Sequence, residues 1–495
     1  VSIAGAPFVK FYARALGARV GPDCDLHSLP PVTGMLRLGR GSAIEPEVDL
    51  RGHWLDGGQL HIGRIRVRAE ARVGARSMLL PGADIGKRAE IAPGSAVFGR
   101  VPSGEHWSGA PAEPAGLAPG KWWDAAPRSP RAWMLAYAAS ALVIALLPLL
   151  AIAAGVAIAV PALRHTATLG EAVRTALVWA VPGVLVALAF LALLVLILVR
   201  LMSIGLVPGL HPVRGRVAWQ AWTTLRVLDE ARTWLYPIYS SSITPLWLRL
   251  LGADLGRDVE ASTVLLIPGF ASVGDGAFLA DDTYVGGYEL GAGWMRLDRA
   301  RVGKGAFVGN SGMAGPGHKV PRQGLVAVLS AAPPSRKAKV GTSYLGSPPR
   351  PLRREASEAD TTRTTAPPLR LRIARASIET VRLVAVWMHA ALVILVMAAL
   401  ALLAERGIWW AVLAGGLVLM LAGLVATAVA TAAKWLLVGR VRRGDHPLWS
   451  SFVWRNELAD TFVEVLAAHW FARAATGSVA LSWWLRTLGA RIGRG

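Results

Sequence analysis

The chain has 495 residues, of which 53% are hydrophobic and only 17% are charged, and its formal net charge is +21. So apolar a composition indicates a membrane protein, and basic residues flanking membrane spans explain the charge better than a nucleic-acid partner does. The single cysteine, Cys24, excludes an internal disulfide, and the scattered histidines show no metal-ligand spacing.

One nine-residue phrase occurs three times along the chain. It stands at 13–21 (ARALGARVG), 248–256 (LRLLGADLG) and 485–493 (LRTLGARIG). The Leu-Gly pairs within these opening phrases begin at positions 16, 251 and 488, so the two intervals between them are almost equal. So steady a period predicts two full units and, at 485–495, the truncated start of a third, and we therefore expect a longer native polypeptide.

In the first soluble domain, predicted to span 1–125, aliphatic residues recur every six positions. Val73, Leu79, Ile85 and Ile91 hold this step, and Pro-Gly turns stand among them. The spacing is typical of a hexapeptide β-helix, in which the aliphatic residue fills a narrow core and glycine permits tight corners. The second soluble domain, 248–346, repeats the pattern less regularly and is predicted to have the same fold.

Two apolar hairpins, 126–210 and 381–438, are predicted to cross a membrane. Their four segments, at about 133–160, 175–199, 383–404 and 408–433, each exceed the roughly 20 residues that a transmembrane helix needs. Four such spans predict a multi-pass cell-membrane protein. The long stretches between the hairpins are strongly basic, so the positive-inside rule predicts that they are cytoplasmic. Because two crossings separate consecutive soluble domains, all of them are expected on the cytoplasmic face.

Three further segments connect these parts. The stretches 211–247 and 439–484 are rich in tryptophan and amphipathic, which predicts interfacial helices, with helix-in-groove contacts between domains as the alternative. The stretch 347–380 is rich in Pro, Ser, Thr and Arg and is predicted to be a flexible basic linker.

Two resemblances to known families follow from these phrases. Residues 73–112 resemble the final coils of left-handed β-helix acyltransferases, and 101–112 (VPSGEHWSGAPA) resembles their closing phrase, which often borders the channel for an acyl-carrier pantetheine. The fold class is thus expected to be mixed, with two left-handed parallel β-helix-like domains alternating with two transmembrane α-helical hairpins.

The whole arrangement resembles the carboxy-terminal membrane region of the ε-poly-L-lysine synthetase family. These bacterial enzymes are nonribosomal-peptide-synthetase-like and make an antimicrobial polymer. The phrases 281–287 (DDTYVGG), 301–311 (RVGKGAFVGNS) and 454–461 (WRNELADT) carry the likeness. The resemblance implies three tandem soluble domains held between six spans, which join aminoacyl units through isopeptide bonds.

The same resemblance implies the partners. Upstream adenylation and thiolation domains of the same chain are expected, with the phosphopantetheine of that carrier and no cofactor within this stretch itself. The other expected partners are the lipid bilayer and a cationic amino acid or polymer substrate, with no nucleic acid and with a homo-oligomer left open.

Amide formation requires an acceptor amine to lose a proton, and histidine is the usual general base. His53 aligns with Tyr288 when the two domains are compared, and it lies where related acyltransferases often place a catalytic histidine. It is therefore the first candidate, with a surface-loop histidine as the equal alternative. His106 and His318 are further candidates, and a turn-capping role is the alternative for His318. An acidic rim is predicted to bind the cationic acceptor or to orient His53, unless it is an ordinary solvated edge; the residues predicted for binding are Asp49, Asp56, Glu105, Asp281, Asp282, Tyr288 and Glu289.

The predicted function is the membrane-embedded formation of amide bonds between carrier-bound aminoacyl groups and a growing or free amino acid acceptor. Two alternatives stay open at this point. One is a non-catalytic membrane anchor and scaffold of such a synthetase, and the other is a membrane-bound acyltransferase that uses a small acyl donor.

Overall fold

The computed structural model describes residues 3–120, 127, 130–352, 361–364 and 367–493. The chain divides into two compact units. The β unit comprises Val1–Leu146, Val195–Trp234 and Ile243–Ala356, and the helical unit comprises Leu147–Leu194, Leu235–Ser242 and Ser357–Gly495. The centre of the predicted linker, at 353–360 and 365–366, and the last two positions of the predicted third domain lie outside the described residues.

The β unit opens with a short helix and a stack of β-helical coils. The coils contribute short strands to three parallel sheets, in the orders β1-β3-β8-β11-β14, β5-β10-β13 and β2-β4-β9-β12-β15, the last closed by antiparallel β16. The three middle coils supply a strand to every sheet, and the first and last coils supply none to the three-stranded sheet. The elements are α1 (Val9–Ala15), β1 (Arg19–Val20), β2 (Asp25–Leu26), β3 (Leu36–Leu38), β4 (Ala43–Ile44), β5 (Asp49–Leu50), β6 (His53–Asp56), β7 (Gln59–Ile62), β8 (Ile65–Val67), β9 (Arg72–Val73), β10 (Met78–Leu79), β11 (Asp84–Ile85), β12 (Glu90–Ile91), β13 (Ala96–Val97), β14 (Arg100–Val101), β15 (Glu105–Gly109) and β16 (Ala112–Leu117).

The six-residue step explains these coils. Val73 lies opposite Ile91 and Leu79 opposite Val97, and three six-residue steps separate the members of each pair. All four side chains are buried in the core. The predicted parallel β-helix of hexapeptide type is therefore present, because one aliphatic residue per face fills a core too narrow for larger side chains.

The second soluble domain repeats this construction after an intervening helical segment. Its parallel sheets have the orders β18-β21-β26-β29, β20-β23-β28 and β19-β22-β27-β30-β31, the last followed by antiparallel β32. The intervening segment contains α2 (Ala132–Ala157), α3 (Val160–Leu163), α4 (Leu169–Met202), β17 (Gly209–Pro212) and α5 (Arg216–Trp234). The elements of the second domain are α6 (Thr244–Leu251), β18 (Asp254–Leu255), β19 (Glu260–Ala261), β20 (Leu265–Leu266), β21 (Ala271–Val273), β22 (Phe278–Leu279), β23 (Tyr284–Val285), β24 (Tyr288–Gly291), β25 (Trp294–Leu297), β26 (Ala300–Val302), β27 (Phe307–Val308), β28 (Met313–Ala314), β29 (Lys319–Val320), β30 (Leu325–Val326), β31 (Ser343–Leu345) and β32 (Arg350–Leu352), with short 3-10 turns at Pro268–Phe270 and Ser335–Lys337.

Besides its closing antiparallel strand, each β-helix carries an inserted antiparallel hairpin at the same place in its repeat. In the first domain, His53 of β6 lies opposite Ile62 of β7. In the second domain, Tyr288 of β24 lies opposite Leu297 of β25. His53 is as far from Tyr288 along the chain as Ile62 is from Leu297, and this offset equals the interval between the first two opening phrases. The two hairpins therefore have the same register within their domains.

Between the two β-helices, α5 is packed inside the β unit. Trp222 is fully buried, and its indole N–H donates to the carbonyl of Ala4 over 2.8 Å. The hydroxyl of Tyr137 donates to the carbonyl of Val213. The tryptophan-rich segment that precedes the second opening phrase therefore contributes to the core of the β unit.

The opening phrases mark the ends of helices. Gly252 follows α6 with a φ of +105°, and its amide donates to the carbonyl of Arg249. Gly17 follows α1 with a φ of +94°. Positive φ is strained for any residue with a Cβ, so the repeated Leu-Gly pair fixes the turn from the helix into the first strand of a coil.

The helical unit contains the remaining helices. They are α7 (Leu369–Thr380), α8 (Arg382–Glu405), α9 (Ile408–Leu437), α10 (Ser451–Phe462) and α11 (Val479–Thr487), with a 3-10 turn at Thr361–Arg363 and a π-helical stretch at Val463–Ala472. Gly155 of α2 and Gly183 of α4 bring these helices close, since a Cβ on Gly155 would lie 2.5 Å from the carbonyl oxygen of Gly183.

Within the described residues, four helices are long and apolar enough to cross a membrane. They lie at Ala132–Ala157, Leu169–Met202, Leu369–Glu405, which comprises α7 and α8, and Ile408–Leu437. Each overlaps one of the four predicted segments. Many of their large apolar side chains are exposed, as expected of helices that contact lipid.

Candidate functional site

The two β-helix domains enclose a cleft of about 1320 Å³ inside the β unit. Polar and charged side chains from both domains line it. The first domain contributes Glu45, Arg72, Glu90 and His106, and the second contributes Glu289, Arg296, Asp298 and His318. Such a cleft, with titratable groups converging from two walls, is the default candidate for a site.

Glu45 joins the two domains at the base of this cleft. It follows β4, and its carboxylate accepts a hydrogen bond from the amide of Ala75 in its own domain and from the amide of Leu290 in the other, both at 2.9 Å. Burial raises the pKa of Glu45, and the negative charge of Glu289 raises it further. A carboxyl group that stays protonated to a higher pH than usual therefore lies beside the hairpin of the second domain.

Glu289 of β24 contributes the second perturbed carboxyl group. Its carboxylate lies 3.0 Å from the guanidinium of Arg296, which is its partner across the hairpin. Burial raises the pKa of Glu289 by more than Arg296 and Arg72 lower it. Glu289 can therefore take up or release a proton closer to neutral pH than an exposed glutamate can.

A row of side chains on consecutive coils forms the wall of the first domain. The parallel register places Arg72 opposite Glu90, and Glu90 opposite His106. Arg72 and Glu90 form an ion pair, and the other carboxylate oxygen of Glu90 lies 3.8 Å from Nδ1 of His106. Among the described residues, that buried nitrogen has no hydrogen-bond partner.

His318 provides a neutral imidazole on the opposite wall. Its Nδ1 lies 3.0 Å from the carbonyl oxygen of Pro316. Because a carbonyl only accepts, this nitrogen carries the proton, and Nε2 of the neutral ring keeps its lone pair. Burial lowers the pKa of His318, so the ring stays neutral at physiological pH. His318 thus has the tautomer and protonation state of a general base.

Three of the ten residues predicted for the site line the cleft: His106, His318 and Glu289. His53 lies on the exposed strand β6 instead. Tyr288 is buried, with its hydroxyl 2.7 Å from Nδ1 of His27.

The other five predicted residues also do not line the cleft. Asp49 pairs with Arg51 at 2.6 Å, and Asp56 ends the exposed strand β6. Glu105 accepts from the indole of Trp107, Asp281 accepts from the hydroxyls of Ser262 and Thr263, and Asp282 pairs with Arg76 and Arg232 at 3.0 Å each.

Sequence reasoning missed eight charged lining residues, which are Glu45, Arg72, Glu90, Arg296, Asp298, Arg336, Lys337 and Lys339. One signal for two of them was present: Arg72 and Glu90 each precede a core aliphatic residue and are three six-residue steps apart. Within the described residues, no group of three or more His, Cys, Asp or Glu side chains is arranged to hold a metal ion.

Comparisons with solved structures give local likenesses of low overall similarity. A serine acetyltransferase from Neisseria gonorrhoeae is 28% identical over 21% of this chain and 40% of its own, with a TM-score of 0.18. A hexapeptide-repeat acetyltransferase from Vibrio cholerae is 18% identical over 24% of this chain and 84% of its own, with a TM-score of 0.19.

Sequence comparison gives a relative that matches almost the whole chain. No protein-family model matches. The delta-poly-L-ornithine synthetase of Acinetobacter baumannii (strain AB307-0294) is 27% identical over 99% of this chain, which spans 38% of the length of that relative. The likeness confirms the resemblance to poly-amino-acid synthetases that the sequence indicates: along almost its entire length, this chain is similar to part of such an enzyme.

Proposed function

We propose that the protein forms amide bonds in the synthesis of a poly-amino acid, and that the reaction takes place in the cleft between the two β-helix domains. The observation that carries the proposal is the composition of this cleft, where both domains supply acids, guanidinium groups and histidines. The similarity to a delta-poly-L-ornithine synthetase supports the class of product. The acceptor would be an amino acid with a second, cationic amino group.

The charges of the cleft suit such an acceptor. An amino acid presents a carboxylate and at least one ammonium group. The guanidinium groups of Arg72 and Arg296 would bind the carboxylate, since planar guanidinium matches carboxylate geometry. The carboxylates of Glu90 and Asp298 would bind the ammonium groups. A purely acidic or purely basic cleft would bind only one end of this substrate.

His318 would remove the proton that the attacking amine must lose. The amine nitrogen forms the new bond to the acyl carbon, Nε2 of His318 takes the proton, and the bond from that carbon to the leaving group breaks. The proton then passes to the leaving group. General-base catalysis of this kind contributes about 10²- to 10⁴-fold to a rate. Before this step, the ammonium group of the acceptor must lose one proton to become the attacking amine, and Glu289 or Glu45, whose pKa values are raised, would take it up.

The acyl donor would arrive from a carrier domain. Three exposed cations, Arg336, Lys337 and Lys339, line the cleft, and they fit the phosphate of a carrier phosphopantetheine. That group would supply an acyl carbon activated as a thioester. Upstream adenylation and thiolation domains of a nonribosomal-peptide-synthetase-like polypeptide are therefore the proposed partners, with the specificity for the monomer set there.

We further propose that the four apolar helices anchor the protein in the cell membrane as two hairpins, with both β-helices on the cytoplasmic face. The apolar character and length of these helices support the anchoring. The basic stretches between the hairpins support the orientation through the positive-inside rule. This side of the membrane gives the cleft access to carrier domains and amino acids.

The test uses the full-length native enzyme in membranes and follows carrier loading and polymer formation separately. His318→Gln and Glu289→Gln are the cleft variants, and His165→Gln and Glu405→Gln are matched controls at exposed positions. We expect both cleft variants to load normally and His318→Gln to lower polymer formation about 10²- to 10⁴-fold, while the controls match the parent.

Two other results would redirect the assignment. If every cleft variant makes polymer at the parental rate, the two β-helices are a scaffold. If acylation proceeds from acyl-coenzyme A alone and without the carrier domain, the protein is an acyltransferase with a small donor.

A further inference from the structure

The two hairpins have the same register but opposite exposure. In the second domain, the side chains of Tyr288, Leu290, Met295 and Leu297 are at most 2% exposed. The equivalent positions of the first hairpin are His53, Leu55, Leu60 and Ile62. There, the exposed fractions are 77% for Leu55 and 55% for both Leu60 and Ile62, and His53 is also exposed.

The buried hairpin shows what covers such a surface. The amide of Leu290 donates to the carboxylate of Glu45, and the amide of Gly293 donates to the carboxylate of Asp25 over 2.8 Å. The hydroxyl of Tyr288 forms a hydrogen bond with the imidazole of His27. All three contacted residues, Glu45, Asp25 and His27, belong to the face of another β-helix. Strand β25 of this hairpin also pairs with β17, so the strand before α5 covers part of the same surface. The hairpin is therefore an element by which one β-helix docks against the next.

We propose that the apolar hairpin surface formed by His53, Leu55, Leu60 and Ile62 docks against a third β-helix domain of the same polypeptide. This inference rests on three exposed aliphatic residues of the first hairpin, which occupy the positions that are buried in the second hairpin. Monomeric proteins rarely leave such a set exposed together without a partner. The inference is independent of the chemistry proposed for the cleft.

The identity of the occupant follows from the third opening phrase. Residues 485–493 repeat the sequence that opens each of the two β-helices. Gly489 has a φ of +102° after α11, as Gly252 has a φ of +105° after α6. A third β-helix with a face equivalent to that of the first domain would complete the series, in which every hairpin is covered by a neighbouring β-helix.

Docking would also create a second, chemically different cleft. Glu289 and Arg296, which line the described cleft, correspond to Trp54 and His61 in the first hairpin. Those two rings are in edge contact, with centroids 5.7 Å apart. The second cleft would therefore present aromatic and imidazole groups where the first presents an ion pair.

Photocrosslinking in the full-length native protein in its own membrane tests the proposal. The variant Leu55→p-benzoylphenylalanine is compared with Lys87→p-benzoylphenylalanine, because Lys87 and its counterpart Arg322 are both exposed. We expect the Leu55 variant to crosslink within one polypeptide, to peptides beyond Gly493, and the Lys87 variant to give no such product.

Three results would overturn the proposal. A crosslink between two polypeptides would assign the surface to an interface between copies. A crosslink confined to lipid would assign it to the membrane, and no crosslink beyond the Lys87 background would leave the hairpin without a partner. As a second measurement, Leu55→Asp with Leu60→Asp should raise protease cleavage beyond residue 493 severalfold, whereas Gln59→Asp at the hairpin turn should not.

Discussion

The contact between Tyr288 and His27 offers a direct test of how the two β-helices are held together. Both side chains are at most 3% exposed, and the tyrosine hydroxyl lies 2.7 Å from Nδ1 of the imidazole. Burial lowers the pKa of His27 to about 3, so this histidine is neutral at physiological pH. The interaction is a neutral, buried hydrogen bond between domains, and salt should not weaken it.

Tyr288→Phe removes the hydroxyl and leaves the imidazole nitrogen buried without this partner. An unsatisfied buried polar group costs about 1–3 kcal/mol. A change of about 1 kcal/mol shifts the melting temperature of a domain of this size by about 2–4 °C. We therefore expect a loss of about 2–12 °C, measured by thermal unfolding of the purified protein in detergent, whereas Tyr12→Phe at an exposed position should change nothing.

A double-mutant cycle separates this contact from general damage. Tyr288→Phe and His27→Ala together should cost about 0.5–3 kcal/mol less than the sum of the single changes, because both remove the same hydrogen bond. Strict additivity of the two changes would show that the contact does not hold the domains together. The reasoning would fail equally if Tyr288→Phe left stability intact and instead weakened the binding of the amino acid acceptor.

Three further outcomes are expected. His53→Ala should retain most polymer formation, while His106→Ala, which removes the neighbour of Glu90 on the cleft wall, should lower kcat severalfold; comparable activity in the two variants would reject this distinction. Burial raises the pKa of Asp25 to about 7, so the folded state holds a proton that the unfolded chain releases, and the contribution of Asp25 to stability should be lost as pH rises from about 4 to about 7. The raised pKa values of Glu45 and Glu289 act in the same direction, so Asp25→Asn should remove part of the slope from a plot of melting temperature against pH. Gly155→Leu should destabilise the helical unit in detergent by about 1–3 kcal/mol, because the leucine side chain would meet the backbone of Gly183. The control Gly416→Leu should be tolerated, since nothing lies within 4 Å of a Cβ at position 416.

The coils of the β-helix could be predicted because each one is a local pattern. Leu79 and Ile85 are core residues on neighbouring faces of a coil, and their six-residue spacing is visible in the sequence. The apolar helices could be predicted for the same reason, since length and composition alone distinguish them. Both features depend on residues close together in the chain.

The cleft could not be predicted because it depends on register and on contacts between distant segments. Glu90 follows its neighbour Arg72 by three six-residue steps, but His106 comes slightly before the next such interval is complete. A strict period would have placed Ser108 in that row. The bond from the amide of Leu290 to Glu45 spans 245 residues, and no local pattern indicates it. The alignment of the two domains and the likeness to acyltransferases both indicate His53, but they reveal equivalent positions and not which of these positions is covered.

The two β-helices share a topology but contribute different charged side chains to the cleft. At the offset that relates the two domains, Arg72 and Glu90 of the first correspond to Phe307 and Leu325 of the second. The hairpin ion pair of Glu289 and Arg296 corresponds to aromatic and imidazole groups in the first domain. Each domain therefore supplies only one charged wall, and neither wall is duplicated. The proposed transfer reaction needs an acceptor bound on one side and a base on the other, so under that proposal a single domain of either kind should lack activity. Between these two domains, the repeat therefore builds an asymmetric cleft from two similar parts.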